Sequence, residues 1–194
     1  MSDWKDDVPS PLDQWRRFNH PYRHQISDII SSYAPANHSI LEVGCGLGVN
    51  LFWLAQRRPD LTLYGVDINA TICDLAKMLV RDGAEIYLGD LLKPCALKEG
   101  RFSVLYTVYT CAYLPPRELS IFLGWARHVT DCLILAEPHY PVEHSIACKP
   151  SALWYRPYAT ILQAYGWDVE TIDVPNEAEI DHLNAITIAK PSDP

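Results

Sequence analysis

The stretch Glu42-Val43-Gly44-Cys45-Gly46-Leu47-Gly48 joins a short apolar segment, Ser39–Val43, to a segment with helical periodicity, Val49–Arg58. Three glycines in alternation let the backbone turn sharply and approach a ligand without obstruction by Cβ atoms. Each glycine costs about 0.5–1 kcal/mol of chain entropy relative to alanine in regular structure. A plain strand-to-helix turn needs one glycine, so the pattern favours a ligand-binding loop.

The spacing of these glycines and the acid before them indicate which ligand the loop would hold. A dinucleotide-binding loop follows the pattern G-x-G-x-x-G, but here its third glycine position falls on Val49. A P-loop needs a lysine and a serine or threonine after the glycines, and neither follows them. Glu42 would repel a pyrophosphate and attract a cation. Charge therefore favours S-adenosylmethionine, which carries a sulfonium and an ammonium group.

Two further acids follow predicted strands in positions suited to the same ligand. Asp67 lies about 20 residues beyond the loop, where a carboxylate can accept both ribose hydroxyls; its alternative role is to cap the helix that starts near Asn69. Asp90, in Gly89-Asp90-Leu91, is positioned to accept the adenine amino group, although Gly-Asp is also a common turn. The predicted cofactor-binding residues are Glu42, Gly44, Gly46, Gly48, Asp67, Ile68, Asp90, Leu91 and Tyr106.

Strand and helix patterns alternate along the chain, which predicts an α/β fold with a mainly parallel, doubly wound sheet. Helices are predicted after Pro21, at 49–58, 69–81 and 115–127, and from Pro157. The segment 137–150 is predicted to be a loop. The last two strands follow each other through an acidic loop, so we expect the final strand to be antiparallel. The predicted strands are Ser39–Val43, Leu61–Val66, Ala84–Leu88, Phe102–Thr107, Cys132–Ala136, Trp167–Val174 and Leu183–Ala189.

Composition and charge narrow the class of protein. The chain has 194 residues and a net charge of −8, which fits one domain with a sizeable core and argues against a broad nucleic-acid surface. Its six cysteines include no C-x-x-C pair, so we expect reduced thiols and no metal site. No apolar run has the length of a membrane span and the sequence shows no secretory signal. We therefore expect a cytoplasmic protein with no membrane partner.

The ordered set of the glycine loop, Asp67, Gly89-Asp90 and the strand at 102–107 resembles the class I S-adenosylmethionine-dependent methyltransferases. The resemblance covers residues 38–190 and extends to small bacterial methyltransferases. It implies a Rossmann-like, seven-stranded sheet with an antiparallel last strand, and S-adenosylhomocysteine as the product. It also implies a methyltransferase domain at 38–194 behind an N-terminal arm and capping helix at 1–37. Ser103 departs from the pattern, because relatives often have an Asp in the fourth strand.

The methyl acceptor is expected at the carboxyl ends of the strands, where open α/β sheets bind their ligands. His139 is the first candidate for a general base, because the pKa of an imidazole lies near neutrality; the alternative is an exposed loop histidine. Glu137 is either the base or an anchor for its loop. The segment Trp15–Arg23 is a candidate lid. The predicted substrate-binding residues are Tyr22, Tyr109, Tyr113, Tyr140 and His144.

The segment after the fourth strand, Thr107–Pro115, disfavours several kinds of methylation. It lacks the acid or Asn, the two prolines and the aromatic residue of enzymes that methylate adenine or glutamine amino groups. Cytosine C5 enzymes use a Pro-Cys nucleophile, whereas Cys111 follows Thr110. The sequence therefore predicts methyl transfer to a small-molecule acceptor, with O-methylation favoured. Two alternatives stay open: a catalytically silent binding module of the same fold, and a nicotinamide-dependent oxidoreductase.

Overall fold

The computed structural model describes residues 20, 22–90, 92, 101–148, 151–174 and 185–192. Within them, the strands are β1 (Ser39–Val43), β2 (Thr62–Asp67), β3 (Glu85–Leu88), β4 (Val104–Val108), β5 (Leu133–Ala136), β6 (His144–Cys148), β7 (Ser151–Tyr155), β8 (Trp167–Asp173) and β9 (Ala185–Pro191). Seven of these strands form one sheet in the order β3-β2-β1-β4-β5-β9-β8, and β6 and β7 form a separate hairpin.

The sheet has the strand directions that the sequence predicts. Strands β1 to β5 pair in parallel, while β9 runs antiparallel to both β5 and β8. The carboxyl ends of β1, β2, β4 and β5 therefore meet at one edge, which also holds the end of β8. This edge is where the candidate site residues gather.

Helices cover both faces of the sheet. The helices are α1 (Tyr22–Tyr33), α2 (Val49–Arg57), α3 (Ala70–Val80), α4 (Pro116–Val129) and α5 (Tyr158–Ala164). Helices α1, α2 and α3 pack on one face through an apolar cluster that includes Ile26, Leu54 and Ala76, and α4 and α5 pack on the other through Phe122 and Leu162. Burial of such side chains contributes about 1.5–3 kcal/mol each, so both layers stabilise the sheet that carries the site.

The prediction of a loop at 137–150 is wrong in its second half. Residues 144–148 form β6, which pairs with β7 in an antiparallel hairpin. The Tyr140 amide donates to the Arg156 carbonyl, and the Arg156 amide donates to the Pro138 carbonyl, so the end of this hairpin is attached to the chain leaving β5. The prolines at 138 and 141 precede the hairpin and do not interrupt it, so they gave no reason to deny these residues strand structure. None of the helices in the described ranges is long and apolar enough to span a membrane.

Candidate functional site

The glycine loop is held by hydrogen bonds to the end of β2. The amides of Gly44 and Cys45 donate to the Val66 carbonyl over 2.8 and 3.0 Å, and the amide of Gly46 donates to Asp67 Oδ2 over 2.9 Å. All three glycines of the loop have positive φ values, which residues with a Cβ rarely adopt. The predicted link between the loop and Asp67 is thus a direct contact.

Each glycine of the loop meets a different constraint. A Cβ on Gly44 would lie 2.2 Å from Thr110 Oγ1, and one on Gly48 would lie 2.9 Å from Val80 Cγ1. A Cβ on Gly46 would meet nothing within 4 Å. Gly44 and Gly48 are therefore required for packing inside the protein, whereas Gly46 borders open space. A bound molecule could approach the backbone closely at that point.

The side chain of Asp67 is half-buried and already organises backbone on both sides. Besides accepting from Gly46, its carboxylate accepts from the amide of Asn69 over 3.0 Å. Helix α3 is capped by Asn69, whose side chain accepts from the Ile72 amide over 3.1 Å. Asn69 thus caps the helix, and Asp67 supports the cap only through the Asn69 amide. The carboxylate of Asp67 keeps lone pairs for a ligand.

The other predicted cofactor-binding positions near the sheet edge are Ile68, Asp90 and Leu91. Ile68 is half-buried beside Asp67. Asp90 is also half-buried, and its Oδ1 accepts from the amide of Leu92 over 2.9 Å, which closes a local turn. Leu91 lies outside the described residues.

Glu42 is buried at the end of β1 and lies in a polar network. Its carboxyl accepts from Asn50 Nδ2 over 2.5 Å and from the Tyr106 hydroxyl over 3.0 Å. Asn50 Oδ1 in turn accepts from Arg23 Nη1 over 2.7 Å. Burial raises the pKa of Glu42 to about 7, against the opposing effects of Asn50, Arg23 and Tyr106. The hydroxyl of Tyr106 is fully buried against Glu42, so this residue supports the acid and does not line open space.

Glu137, a candidate base, is an anchor in the structure. Its buried carboxyl accepts from the Thr107 hydroxyl over 2.7 Å and from three successive backbone amides, at residues 110, 111 and 112, over 3.0 to 3.1 Å. Burial raises the pKa of Glu137, and these hydrogen bonds oppose the rise. Because the carboxyl is 1% exposed and satisfied by the chain itself, the geometry corrects the base assignment in favour of the anchor.

Arg156 holds the same loop from its other side. Its fully buried guanidinium donates to the carbonyls of Cys111 and Leu114 over 2.9 and 2.5 Å, and to Glu143 Oε2 over 2.9 Å. The loop after β4 contains Tyr109, which has φ of +54°, a strained conformation for an aromatic residue. Glu137 and Arg156 therefore fix both the amides and the carbonyls of a strained loop at the sheet edge.

His139 lies at the same edge, after β5, and is partly exposed. Its Nδ1 is buried and has no hydrogen-bond partner among the described residues. Burial lowers the pKa of His139, and the neighbouring Asp173 at the end of β8 partly offsets this. The imidazole is thus neutral near pH 7, which is the form that can accept a proton.

The predicted substrate-binding residues separate into two groups. Tyr140 and His144 come together on the hairpin, with ring centroids 4.6 Å apart, and His144 also stacks on Tyr155 at 4.9 Å. Tyr109 and Tyr113 are half-buried in the loop after β4, against which β7 packs. Tyr22 is different, because it is 5% exposed and packs in the core, which leaves little surface for an acceptor.

Sequence reasoning missed three residues of this region: Asn50, Thr110 and Arg156. Asn50 is 3% exposed at the start of α2, and a polar residue in an apolar helix stripe beside the glycine loop was a usable indication. Thr110 contacts Gly44 and so joins the glycine loop to the loop after β4. Arg156 gave no local indication, because its partners lie 42 and 45 residues away in sequence.

The sheet order, the antiparallel β9 and the glycine loop closed by an acid at the end of β2 define a Rossmann-like methyltransferase fold. Residues 40–131 match the family model described as "Methyltransferase domain". The sequence match over these residues agrees with the fold, which the chain shares with solved methyltransferase structures.

Individual proteins resemble parts or all of the chain. The uncharacterized protein RP028 of Rickettsia prowazekii (strain Madrid E) is 32% identical over 79 residues, which cover 40% of this chain and 32% of that protein. The chain thus spans about a third of the curated relative that it matches.

Two solved structures share the fold over most of their length. Magnesium protoporphyrin IX methyltransferase from Synechocystis PCC 6803, with bound SAH, has 17% identity and a TM-score of 0.65, covering 93% of this chain and 94% of its own. The amino pentose methyltransferase CalS10 from Micromonospora echinaspora, with bound SAM, has 13% identity and a TM-score of 0.68, covering 96% and 99%. At these identities the likeness concerns the fold.

Proposed function

We propose that this protein transfers the methyl group of S-adenosylmethionine to a small-molecule acceptor, with a hydroxyl oxygen as the favoured acceptor atom. The observation that carries the proposal is the cradle at Gly46. This residue has φ of +52°, its amide is fixed by Asp67, and the space in front of it is open. A ligand that approaches the backbone here meets the carboxylate of Asp67, and Glu42 lies buried behind the loop.

The residues of the cradle fit the chemistry of S-adenosylmethionine. Glu42 supplies negative charge behind the loop for the ammonium group of the methionine part. Asp67 has acceptor capacity left for the ribose hydroxyls, since its hydrogen bonds to the amides of Gly46 and Asn69 use one lone pair on each oxygen. Asp90 would accept the adenine amino group, with Ile68 beside the ring. The same molecule accounts for the openness at Gly46, because a Cβ there would enter the space that the ligand needs.

The cofactor supplies an electrophilic methyl group on its sulfonium, and the chain supplies alignment and proton removal. Alignment of two reactants contributes up to about 7–11 kcal/mol of barrier reduction in favourable cases. The loop after β4 is suited to alignment because Glu137 and Arg156 hold it on both sides. His139 would remove the proton of a hydroxyl acceptor, since its imidazole is neutral near pH 7.

The acceptor side favours a small molecule with at least one flat or apolar face. Tyr140 is 50% exposed and stands edge-on to His144, which forms an aromatic wall on the hairpin. Tyr109 and Tyr113 would form the opposite wall from the loop after β4. The net charge of −8 does not favour nucleic acid as the acceptor. In this scheme residues 38–194 form the catalytic domain, and residues 1–37 form its arm and capping helix.

Calorimetric titration with S-adenosylmethionine and S-adenosylhomocysteine tests the cofactor. Micromolar binding of both supports the proposal, and the absence of binding contradicts it. Asp67→Ala should weaken binding by about 10-fold or more, because hydrogen bonds to a charged group contribute about 1.5–3 kcal/mol. The matched control is Asp74→Ala, which removes an exposed acid of α3 whose partner is Lys77; its affinity should equal that of the wild type.

Turnover separates the proposal from its two alternatives. An acceptor screen should begin with hydroxylated and sugar-like small molecules and record transfer of a labelled methyl group. Binding of the cofactor without transfer to any acceptor favours a catalytically silent binding module. Enhanced NADH fluorescence, together with no response to S-adenosylmethionine, favours a nicotinamide-dependent oxidoreductase.

A further inference from the structure

A continuous chain of hydrogen bonds connects helix α1 to the acid of the glycine loop. Arg23 Nη1 donates to Asn50 Oδ1 over 2.7 Å, and Asn50 Nδ2 donates to Glu42 Oε1 over 2.5 Å. The polarity of the Asn50 amide fits both ends, with its oxygen toward the cation and its nitrogen toward the carboxyl. Arg23 therefore fixes the orientation of Asn50, and Asn50 fixes one oxygen of Glu42.

The groups that act on the Glu42 carboxyl come from five elements. They are Arg23 of α1, Asn50 of α2, Tyr106 of β4, Asp67 at the end of β2, and Cys45 of the loop. Among these described groups, Arg23 is the cation. Asp67 raises the pKa of Glu42 by repulsion, whereas Arg23 lowers it by attraction. The charge of Glu42 thus depends on a residue that belongs to the capping helix.

We propose that Arg23 is a positioning residue of the cofactor site, which acts through Asn50 to hold the Glu42 carboxyl in place and to favour its ionised form. This inference rests on the proposed function, because it assumes that ionised Glu42 attracts the cationic end of the cofactor. It assigns helix α1 a role in cofactor binding that is separate from covering the acceptor.

A second cationic link between the same two helices provides a matched control. Arg57 of α2 donates to Asp28 Oδ1 of α1 over 2.9 Å, and its Nη2 lies 2.9 Å from His24 Nδ1. Arg57→Met removes the contacts of an arginine between α1 and α2, as Arg23→Met does, but none of the contacts described for Arg57 reaches Glu42. Comparison of the two variants separates loss of helix docking from loss of control over Glu42.

The experiment is a calorimetric titration of the full chain with S-adenosylhomocysteine at pH 6, 7, 8 and 9. At pH 7, Arg23→Met should bind about threefold more weakly than the wild type, since Glu42 is protonated in a larger fraction of molecules. The deficit should shrink at pH 9, where Glu42 is ionised in both proteins. Arg57→Met should follow the wild type at every pH. Arg23→Lys keeps the charge and should recover part of the pH 7 affinity.

The outcomes distinguish failure of this inference from failure of the proposed function. No binding of S-adenosylhomocysteine to the wild type at any pH contradicts the proposed function. Wild-type binding, with Arg23→Met unaffected or weakened by one constant factor at all pH values, overturns the inference alone. Glu42→Gln provides the reference profile, because it retains only the pH dependence of the ligand and of other groups. If Arg23→Met fails to fold, the Arg23→Lys and Asn50→Leu profiles decide between the same outcomes.

Discussion

Glu137 and Arg156 hold the same loop from opposite sides, although they are 19 positions apart in sequence and a β-hairpin lies between them. The carboxyl of Glu137 accepts from amides of the loop after β4, and the guanidinium of Arg156 donates to its carbonyls. Such a loop would otherwise leave several buried backbone groups without partners. The hairpin is thus more than a connection between β5 and α5, because Arg156, which completes this arrangement, directly follows β7.

The first prediction concerns the stability that Arg156 provides. Arg156→Met leaves the carbonyls of Cys111 and Leu114 without a buried donor, and it should lower the free energy of unfolding by about 3 kcal/mol. Arg101→Met is the control. It removes a half-exposed pair with Asp131 and should cost less than about 1 kcal/mol. Urea unfolding measures both, and equal losses in the two variants would contradict a structural role for the buried arginine.

The second prediction separates the two kinds of glycine in the loop. Gly48→Ala should cost about 2–5 kcal/mol of stability, because the new side chain is strained at φ of +73° and its Cβ would lie 2.9 Å from Val80 Cγ1 in the contact between α2 and α3. Gly46→Ala should cost about 1–2 kcal/mol, since strain at positive φ is its only internal penalty. Its main effect should fall on the affinity for S-adenosylhomocysteine, with a loss of at least about 10-fold.

Calorimetry and urea unfolding on the same two proteins test this separation. Gly124→Ala is the control for both, because Gly124 lies in α4 with open space around it. If Gly46→Ala binds S-adenosylhomocysteine as tightly as the wild type, the open space at Gly46 is not part of the cofactor site.

Local sequence patterns were sufficient for the sheet, since each strand and helix has its own periodicity and its own stop residues. Ser39–Val43 was predicted with the bounds it has, and the antiparallel last strand followed from the missing helix before it. The site was predictable where it is built from one stretch of chain, as in the glycine loop. The ribose-binding role of Asp67 and the role of His139 as general base stay predictions.

The failures of prediction have a common physical cause, which is contact between distant parts of the chain. The carboxyl of Glu137 anchors its loop because four hydrogen-bond donors from residues 107–112 meet at it. No periodic pattern in the sequence indicates such a long-range contact. Tyr106 pairs with Glu42 across β1 and β4, so its hydroxyl is used before any ligand arrives. The prolines at 138 and 141 favour a loop in the sequence, although the hairpin begins after both of them.

The third prediction concerns His139 as the base for a hydroxyl acceptor. His139→Gln should reduce kcat by about 100-fold while the affinity for S-adenosylmethionine stays unchanged. Because burial lowers the pKa of His139, the wild-type rate should fall with acid only below the ordinary histidine value of 6.5. His128→Gln, an exposed histidine of α4, is the control. Rates should be measured with an acceptor from the screen, and a wild-type rate in His139→Gln would exclude this base.

The fourth prediction follows from the buried carboxyl of Glu42 and concerns stability as a function of pH. The pKa of Glu42 is raised from 4.5 to about 7 in the folded protein, so the folded state holds a proton that the unfolded state has lost between these values. The contribution of Glu42 to stability is therefore complete below pH 4.5 and is lost as the pH rises toward 7. Above pH 7 the loss is constant, because both states are ionised.

Glu42→Gln cannot titrate and should reveal this loss as a difference from the wild type. Its amide oxygen can still accept from Asn50, and its amide nitrogen can donate to the Tyr106 hydroxyl, so packing is conserved. The free energy of unfolding of the variant minus that of the wild type should be about 3 kcal/mol larger at pH 8 than at pH 4.5. Urea unfolding without ligand at pH 4.5, 6, 7 and 8 measures the difference. A difference that does not change with pH would mean that Glu42 titrates alike in the folded and unfolded chains, and that its burial leaves its charge unaffected.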